Sequence, residues 1–400
     1  MKIDFRSTTY PSRLYSGKGA LEQLASEVDR LDARRAFVVC GRTVSRHTPL
    51  IARINGILGS CSAGTFDGLE KDSTLQSVLA ATEAVRQSGA DAVIAVGGGS
   101  VIQAARVILM LLAEKRPVEA LMTQYPESGA AISPKLLTTK LPVINVLTLP
   151  TAAQNRGGSA VRGAGVDHRM EFFDPKTRPR AIFWDSDALL TAAPHLARSA
   201  GCTIYWRAVM NLGWVDVNPL IEGGRRHTVR LAERALQNLD AADPAPRVEL
   251  CTAAFLLNRD ADEGGAGGER HWVARVTYAL ATALLVCYPQ IRHGEAFTAL
   301  CGSMLRQLGD RDARAIGNLA ENLGAAASGM PLSGAPAAAA DYLEAVFSRL
   351  DMPTRVRDLD VPHDGLEKVM PYALKNFNAD PKREFVRERE FLYRVLQAAW

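Results

Sequence analysis

Residues 91–100 read DAVIAVGGGS, and the apolar sequence VIQAARVILMLLAE follows at 101–114. This pattern predicts a buried strand, a tight turn and a helix in immediate succession. Backbone N–H groups at such a turn can approach a pyrophosphate, and the start of the helix adds a partial positive charge. Tight turns also use glycine for steric reasons alone. We therefore expect a phosphate-binding element at Gly97, Gly98, Gly99 and Ser100, with a purely steric turn as the alternative.

The segments around this motif alternate between strand and helix patterns. β-rich runs at 35–41, 64–69 and 91–99 are separated by helical sequences, and the alternation continues to about residue 185. This rhythm predicts βαβ units on a parallel sheet. After about residue 190 only helical periodicity remains, so we expect an α/β domain over residues 1–186 and an all-α domain over 187–400. The polar run DADEGGAGG at 260–268 is predicted to be a loop.

The composition of the 400 residues indicates a soluble globular chain that is long enough for two hydrophobic cores. Its 47 basic and 43 acidic residues are interspersed, which argues against nucleic-acid or membrane binding and favours small-molecule or peptide partners. Six cysteines lie far apart without a CxxC pair, and the N-terminus lacks the apolar core of a signal peptide. No apolar run reaches the roughly 18 residues of a membrane span. We therefore expect a cytoplasmic protein with reduced thiols.

The sequence FDGLEKDSTLQSVLAATEAVRQSGADAVIAVGGGSVIQAAR at 66–106 resembles the iron-containing alcohol dehydrogenase family, whose signature after a similar strand is GGGSxxDxAK. Further matching segments follow in order: YSGKGALEQL, LTLPT, GGSAV, PRAIFWDSDALLTAAPHLARSAG, MPTRVRDL and the closing NADPKREFVREREFLYRVLQAAW. The resemblance implies the dehydroquinate synthase-like fold, with a dinucleotide-binding α/β domain, a helical C-terminal domain and an active site between them. It also implies a nicotinamide cofactor and a homodimer.

Carried over by position, the family's pyrophosphate site falls on residues 97–100, and Thr148 and Thr151 line the nucleotide path. The Asp and Lys of the family signature are replaced by Gln103 and Arg106. A longer loop, TAAQNRGGSA at 151–160, replaces the family's TTAGTGSE. The contacts to the ribose and nicotinamide are therefore left open.

The end of the first strand bears on the choice between NAD and NADP. Relatives that prefer NAD have an aspartate there, whereas this chain has Gly41 with Arg42 beside it. A small residue leaves room for a 2′-phosphate, and a guanidinium pairs with it through charge-assisted hydrogen bonds. NADP is therefore favoured over NAD. The alternative is that Arg42 is an ordinary solvated residue.

Most metal ligands of the family are replaced in this chain. The resemblance places Thr203 and Arg207 at the family's Asp and His, four residues apart on one helix face. Ala279 and Ala283 replace two further histidines, and only His293 remains. The positively charged Arg207 guanidinium thus stands at a position where the family has a metal ligand.

A different alignment would recruit His271 with Arg275, or His271 with His293. Zinc and iron need three or four nitrogen, oxygen or sulfur ligands, and neither alignment supplies them. We therefore expect no metal.

A dehydrogenase without a metal must still stabilise an alkoxide. Arg207 is the first candidate because a guanidinium holds an alkoxide or a carboxylate bidentately. His293 is the candidate general base. A salt-bridged wall residue and a structural histidine are the respective alternatives. Weaker candidates near these positions in the sequence are Tyr205, Tyr278 and Arg292, whereas Cys202 is expected to pack rather than react.

An arginine-lined pocket suggests an anionic substrate. We expect metal-independent, NAD(P)-dependent oxidation of a secondary alcohol in a β-hydroxy acid, with decarboxylation of the β-keto acid that results. Tailoring of a natural product, including the C-terminal threonine of a daptide-type peptide, would fit this chemistry. The alternatives are a maleylacetate-reductase-like reductase, a non-catalytic nucleotide-binding subunit, and a lyase or synthase resembling dehydroquinate synthase.

Overall fold

The computed structural model describes residues 4–163, 165–166, 168–214, 216–265, 271–327 and 329–400. In this range an α/β part precedes a helical part. The strands are β1 (Arg13–Gly17), β2 (Ala36–Cys40), β3 (Ser62–Phe66), β4 (Ala92–Gly97), β5 (Val143–Leu147), β6 (Gly158–Val161), β7 (Met170–Phe173) and β8 (Ala181–Asp185). The helices among them are α1 (Leu24–Arg30), α2 (Arg42–His47), α3 (Leu50–Leu58), α4 (Leu75–Ser88) and α5 (Gly99–Ala113).

The described residues after β8 form helices and loops. The helices are α6 (Ser186–Leu190), α7 (Pro194–Leu212), α8 (Glu222–Gln237), α9 (Ala245–Asp262), α10 (Trp272–Cys287), α11 (His293–Leu308), α12 (Ala313–Leu323), α13 (Ala335–Arg349), α14 (Met370–Leu374) and α15 (Arg389–Ala398). The predicted fold class, a parallel α/β sheet followed by an all-α region, is confirmed.

Six strands form one parallel sheet in the order β1-β8-β5-β4-β2-β3. All residues of β2, β4, β5 and β8 are buried, which explains their continuous apolar sequences. Val93 and Ala95 of β4 pack beneath α4 and α5, while Ile94 faces the core under α1 and α3. The strand order reverses between β2 and β4. Open α/β sheets bind ligands in the crevice at the carboxyl ends of the strands beside such a reversal.

β6 and β7 form a separate antiparallel hairpin in which Val161 pairs with Met170. Both side chains join the core beneath α5. Arg162, the residue after β6, forms a β-bridge with Thr74, the residue before α4. The end of the hairpin at which its two strands are connected therefore lies against the loop that leads from β3 into α4.

The helical part is organised around α7, which packs against α8, α9, α11 and α12. α9 also contacts the α/β part, because Cys251 belongs to the core beneath α5. No helix of the described ranges combines the length and the hydropathy that a membrane span requires.

The polar run at 260–268 is partly helical, contrary to the prediction. α9 continues to Asp262, and its acidic residues are paired with arginines distant in sequence. Asp260 lies 2.6 Å from Arg225, and Asp262 lies 2.7 Å from Arg178. These ion pairs satisfy the polar side chains that suggested a solvated loop. Residues 266–268 of the predicted loop lie outside the described residues.

Candidate active site

The glycine turn lies at the carboxyl end of β4, beside the strand reversal. A side chain at Gly97 would stand 2.7 Å from Val101, and one at Gly98 would stand 3.2 Å from Leu149. The steric explanation for these glycines therefore holds. It does not compete with phosphate binding, because α5 begins at Gly99 and the turn is partly exposed. The geometry remains suited to a phosphate at the start of a helix.

Thr148 and Thr151 lie beside this turn. The Thr148 N–H donates to the Gly97 carbonyl at 3.2 Å. The Thr151 hydroxyl accepts a hydrogen bond from the Ala153 N–H at 3.1 Å, and it would lie 3.0 Å from a side chain at Gly99. The structure thus brings together the residues that the resemblance assigned to the nucleotide path.

A loop at 70–74 contacts the turn, and sequence reasoning gave it no role. The Asp72 N–H donates to Ser100 Oγ at 3.0 Å, and the Ser73 hydroxyl donates to the Ser100 carbonyl at 2.6 Å. Asp72 and Ser73 adopt left-handed backbone conformations, with φ of 61° and 52°. Consecutive non-glycine residues in this region are strained and cluster at functional sites.

The replaced signature residues stabilise the loop at 151–160. Gln103 Oε1 accepts a hydrogen bond from the Ala160 N–H at 3.1 Å. Arg106 is buried and donates to Ser159 Oγ at 2.9 Å and to the carbonyls of Ala153 and Arg156 at 2.6 and 2.7 Å. Burial, together with the nearby positive charges of Arg156 and Arg178, lowers the pKa of Arg106 to about 9.

The same loop connects the two parts of the chain. Gln154 accepts a hydrogen bond from Trp184 Nε1 at 2.8 Å and donates to the Cys251 carbonyl of α9 at 2.7 Å. Asn258, also on α9, donates to the Ala152 carbonyl at 2.9 Å. The side chains of Gln154 and Asn258 are therefore committed to the interface between the parts.

Gly41 and Arg42 follow β2, across the reversal from the glycine turn. Gly41 precedes α2, and a side chain there would stand 3.3 Å from the Leu69 carbonyl. Arg42 is exposed, and within the described ranges no carboxylate oxygen lies within 4.0 Å of its guanidinium. Its side chain is exposed just beyond the carboxyl end of β2.

From Ser199 onward, α7 is buried except along one narrow face. Thr203 and Arg207 lie on this face with Ala200 and Asn211, and all four are half-buried. Tyr205 lies about 200° around the helix from Arg207. It is fully buried, packs edge-on against Phe347, and its pKa is raised by burial. Tyr205 therefore belongs to the helical core, which corrects its place among the site candidates.

Cys202 also points into the core. Its thiol is fully buried, and burial raises its pKa to about 12.

The start of α11 lies against α7 next to this face. The Gly294 N–H donates to Ser199 Oγ at 3.0 Å, and a side chain at Gly294 would stand 2.1 Å from the Ser199 carbonyl. Thr203 Oγ1 donates to that carbonyl at 3.4 Å. His293, the first residue of α11, therefore adjoins the Thr203 face.

His293 is exposed to the cleft, yet protein surrounds it closely. Burial, followed by the positive charges of Arg169 and Lys71, lowers its pKa to about 4. Its ring stacks on Phe297 with the centroids 6.4 Å apart, and Tyr278 packs on the same phenylalanine at 5.9 Å. The structure thus places Tyr278 and His293 on one aromatic cluster.

Arg292 has a local structural role, unlike the candidate role suggested by its sequence position. It is the N-cap residue of α11, and its guanidinium lies 2.5 Å from Glu295. This ion pair closes a capping box at the first turn of the helix.

Three basic side chains of the described residues lie near enough to the Asp72 carboxyl group for their charges to act on it. Lys71 Nζ donates to the Ile291 carbonyl at 3.3 Å and also to the Pro289 carbonyl. Burial raises the pKa of Asp72, although the charges of Lys71, Arg169 and Arg162 oppose the rise. We call Lys71, Arg162 and Arg169 the basic cluster. Sequence reasoning missed these residues because they come from three separate segments.

The residues present do not fit the metal of the family. Of the four positions that the resemblance assigns to metal ligands, His293 is the one with a potential ligand, and Arg207 places a positive charge at another. In the described part of the chain, no group of three or more His, Cys, Asp or Glu residues could hold a metal ion.

The alternative ligands have other roles. His271 caps α10 by accepting a hydrogen bond from the Ala274 N–H, and its other nitrogen lies 3.1 Å from the Met210 carbonyl. Arg275 is paired with Asp380 at 2.8 Å and with Glu384 at 2.7 Å.

Comparison with known proteins agrees with this architecture. The family model described as "Iron-containing alcohol dehydrogenase" matches residues 11–186. Maleylacetate reductase 2 of Cupriavidus pinatubonensis is 28% identical over 234 residues, which are 58% of this chain and 54% of that protein. Maleylacetate reductase of Burkholderia cepacia is 24% identical over 372 residues, which are 92% of this chain and 91% of that protein.

A solved structure shares the fold over the full length of the chain. The NADH-dependent butanol dehydrogenase A of Thermotoga maritima has a TM-score of 0.84 at 15% identity, covering 100% of this chain and 98% of that one. The predicted family resemblance is confirmed. Residues 11–186 match the model of this family, and the positions that the resemblance assigns to three of its four metal ligands hold threonine, arginine and alanine in this chain.

Proposed function

We propose that this protein is a metal-independent, NAD(P)-dependent oxidoreductase that oxidises a secondary alcohol in a carboxylate-bearing substrate. The observation that carries the proposal is the position of the glycine turn relative to His293, which begins the helix packed against the half-buried face of α7 that holds Thr203 and Arg207. Loop 70–74 connects the two, because Asp72 contacts Ser100 and Lys71 contacts the segment before His293.

The cofactor would be held mainly by backbone groups. The N–H groups of Gly98, Gly99 and Ser100 at the start of α5 would bind the pyrophosphate, with Thr148 and Thr151 beside it. Arg42 would pair with a 2′-phosphate, which favours NADP over NAD. When bound, the nicotinamide accepts a hydride from the substrate carbon or returns one to it.

Two side chains would act on the substrate oxygen: His293 on its proton and Arg207 on its developing negative charge. His293 would be the general base: a pKa of about 4 keeps its imidazole neutral near pH 7 and open to a hydrogen bond from the substrate hydroxyl, and it also makes the imidazole a weaker base than an ordinary histidine. Arg207 would stabilise the developing alkoxide, which a metal stabilises in other dehydrogenases. Tyr278 would position His293 indirectly, through their shared packing on Phe297.

A β-hydroxy acid would undergo a second step after oxidation. Hydride and proton loss convert the hydroxyl to a ketone, and the resulting β-keto acid loses its carboxylate as carbon dioxide when the carbon takes up a proton. A peptide with a C-terminal threonine, as in daptide-type tailoring, has the required hydroxyl and carboxylate. The similarity to two maleylacetate reductases favours a second candidate, in which the same site reduces a carboxylated substrate.

The test begins with protein treated with EDTA. Calorimetric titration with NAD⁺ and NADP⁺ is expected to show binding, with NADP⁺ the tighter ligand. Absorbance of the reduced nicotinamide is then followed with β-hydroxy acids, with peptides ending in threonine, and in reverse with maleylacetate. A protein that binds neither cofactor would contradict the oxidoreductase proposal and favour a non-catalytic role. Turnover that is lost on chelation and restored by Zn²⁺ or Fe²⁺ would contradict metal independence.

A further inference from the structure

Two arginines lie directly beyond the last paired residues of the hairpin. Val161 pairs with Met170, so the next pair in the antiparallel register is Arg162 with Arg169. Like charges directly opposite each other on neighbouring strands are destabilising. Within the described ranges, neither guanidinium has a carboxylate oxygen within 4.0 Å. The repulsion between them is therefore not offset by an ion pair among these residues.

The hairpin end is held in place from the other side. The Arg162 N–H donates to the Ser73 carbonyl at 3.2 Å, and the Leu75 N–H donates to the Arg162 carbonyl at 2.9 Å. Ser73 is buried in a left-handed conformation. These bonds fix the backbone of Arg162 beside loop 70–74.

Lys71 adds a third positive charge. Its amino group reaches across the cleft to the carbonyls just before α11, which brings it near His293. Among the residues that the structure describes, Asp72 is the carboxyl group next to these cations; it is half-buried and forms no ion pair with any of them within 4.0 Å. The basic cluster thus keeps an excess of positive charge at the mouth of the site.

We propose that Arg162, Arg169 and Lys71 form the binding site for the carboxylate of the substrate. A carboxylate between the two guanidiniums would offset their repulsion and accept charge-assisted hydrogen bonds from both. This assignment rests on the proposed function, and it leaves Arg207 to act on the reacting oxygen. The substrate would then be held at two points, with its carboxylate at the hairpin and its hydroxyl near His293.

Chemical modification of the wild-type protein tests the proposal without requiring the natural substrate. Phenylglyoxal reacts with accessible arginines, and the modified positions are identified by mass spectrometry of peptides. Malonate serves as the carboxylate probe and is expected to slow modification of Arg162 and Arg169 about tenfold. Arg180, which is exposed at the amino end of β8, is the internal control and should react at the same rate with and without malonate.

The outcomes separate this proposal from the proposed function. Absence of protection by malonate would overturn the carboxylate site, even in a protein that binds NADP⁺. Protection by NADP⁺ alone would assign the cluster to a cofactor phosphate and would also overturn it. Protection by malonate in a protein that binds neither NAD⁺ nor NADP⁺ would support the anion site while contradicting the oxidoreductase.

Substitution provides a second readout. Arg169→Gln is expected to abolish the protection of Arg162 by malonate and to leave NADP⁺ affinity within about twofold, whereas Arg180→Gln should change neither. Full protection of Arg162 in Arg169→Gln would contradict a site shared by the two arginines.

Discussion

The glycine turn at residues 97–100 and the α7 face at Thr203 and Arg207 present different kinds of atoms to the proposed site. The turn presents backbone groups, and its geometry depends on close packing between Gly97 and Val101. The α7 face presents side chains on a helix whose other sides are buried in the core. A site made of backbone is tied to the fold, whereas a site made of side chains can change its chemistry through a few substitutions. This difference explains how one chain combines the family fold with an unfamiliar set of cleft residues.

Gly97→Val is expected to have the largest effect, because it disturbs a turn on which both the packing of the fold and the proposed cofactor site depend. The new side chain would meet Val101, which stands 2.7 Å from the position of its Cβ. Such overpacking costs about 1–3 kcal/mol, and the distorted turn should lose measurable NADP⁺ binding. Denaturant unfolding and calorimetry measure the two effects. Gly56→Ala is the control, since it has open space in α3 and should stabilise the protein by about 0.5–1 kcal/mol. Normal NADP⁺ affinity in Gly97→Val would show that the turn is not the phosphate site.

Arg207→Ala is expected to reduce kcat/KM by about 10²–10³-fold while NADP⁺ affinity changes less than about twofold. The helix keeps its core packing, because Arg207 lies on the half-buried face of α7. Steady-state kinetics with the best substrate from the cofactor-linked screen, together with cofactor titration, separates the two quantities. Arg207→Lys retains the charge but not the planar fork, so it should recover only part of the activity. Unchanged kinetics in Arg207→Ala would identify the arginine as a wall residue.

The elements that could be predicted from the sequence are those whose structure depends on residues close together in the chain. The strand, glycine turn and helix at 91–114 follow from local periodicity, and the structure has β4 and α5 there. The prediction for 260–268 was wrong in part because Asp260 and Asp262 are paired with residues far away in sequence. Tyr205 is close to Arg207 in the sequence, but helical geometry alone places it on another face of α7.

The basic cluster depends on packing that periodicity does not encode. Lys71, Arg162 and Arg169 converge only because the hairpin lies against loop 70–74 and that loop reaches α11. A prediction of antiparallel pairing over 158–173 would have indicated part of this cluster, because that register brings Arg162 and Arg169 together.

Restoring ligands to the α7 face is expected to create a metal site without altering the fold. The triple variant Thr203→Asp, Arg207→His and Ala279→His would supply, with His293, four potential zinc ligands. Ala279 is 1% exposed, so its enlargement should cost about 1–3 kcal/mol of stability. Mass spectrometric metal analysis after dialysis should find about one zinc per chain. The single variant Arg207→His is the control and should retain none. A triple variant that folds but binds no zinc would show that the backbone around this face has also diverged.

The smallest expected effect concerns the pH dependence of stability through His293. Its pKa is lowered to about 4 in the folded protein from an ordinary value of 6.5, so the unfolded chain binds more protons between these pH values. The contribution of His293 to stability is therefore full above about pH 6.5 and is lost as the pH falls toward 4. His293→Gln should lose stability less steeply over this window than the wild type in parallel denaturant titrations.

NMR titration of the His293 imidazole measures its pKa directly, and Arg169→Gln should raise this pKa because a neighbouring positive charge is removed. An imidazole that titrates near 6.5 in the wild type would show that the cleft neither desolvates His293 nor holds the basic cluster close to it.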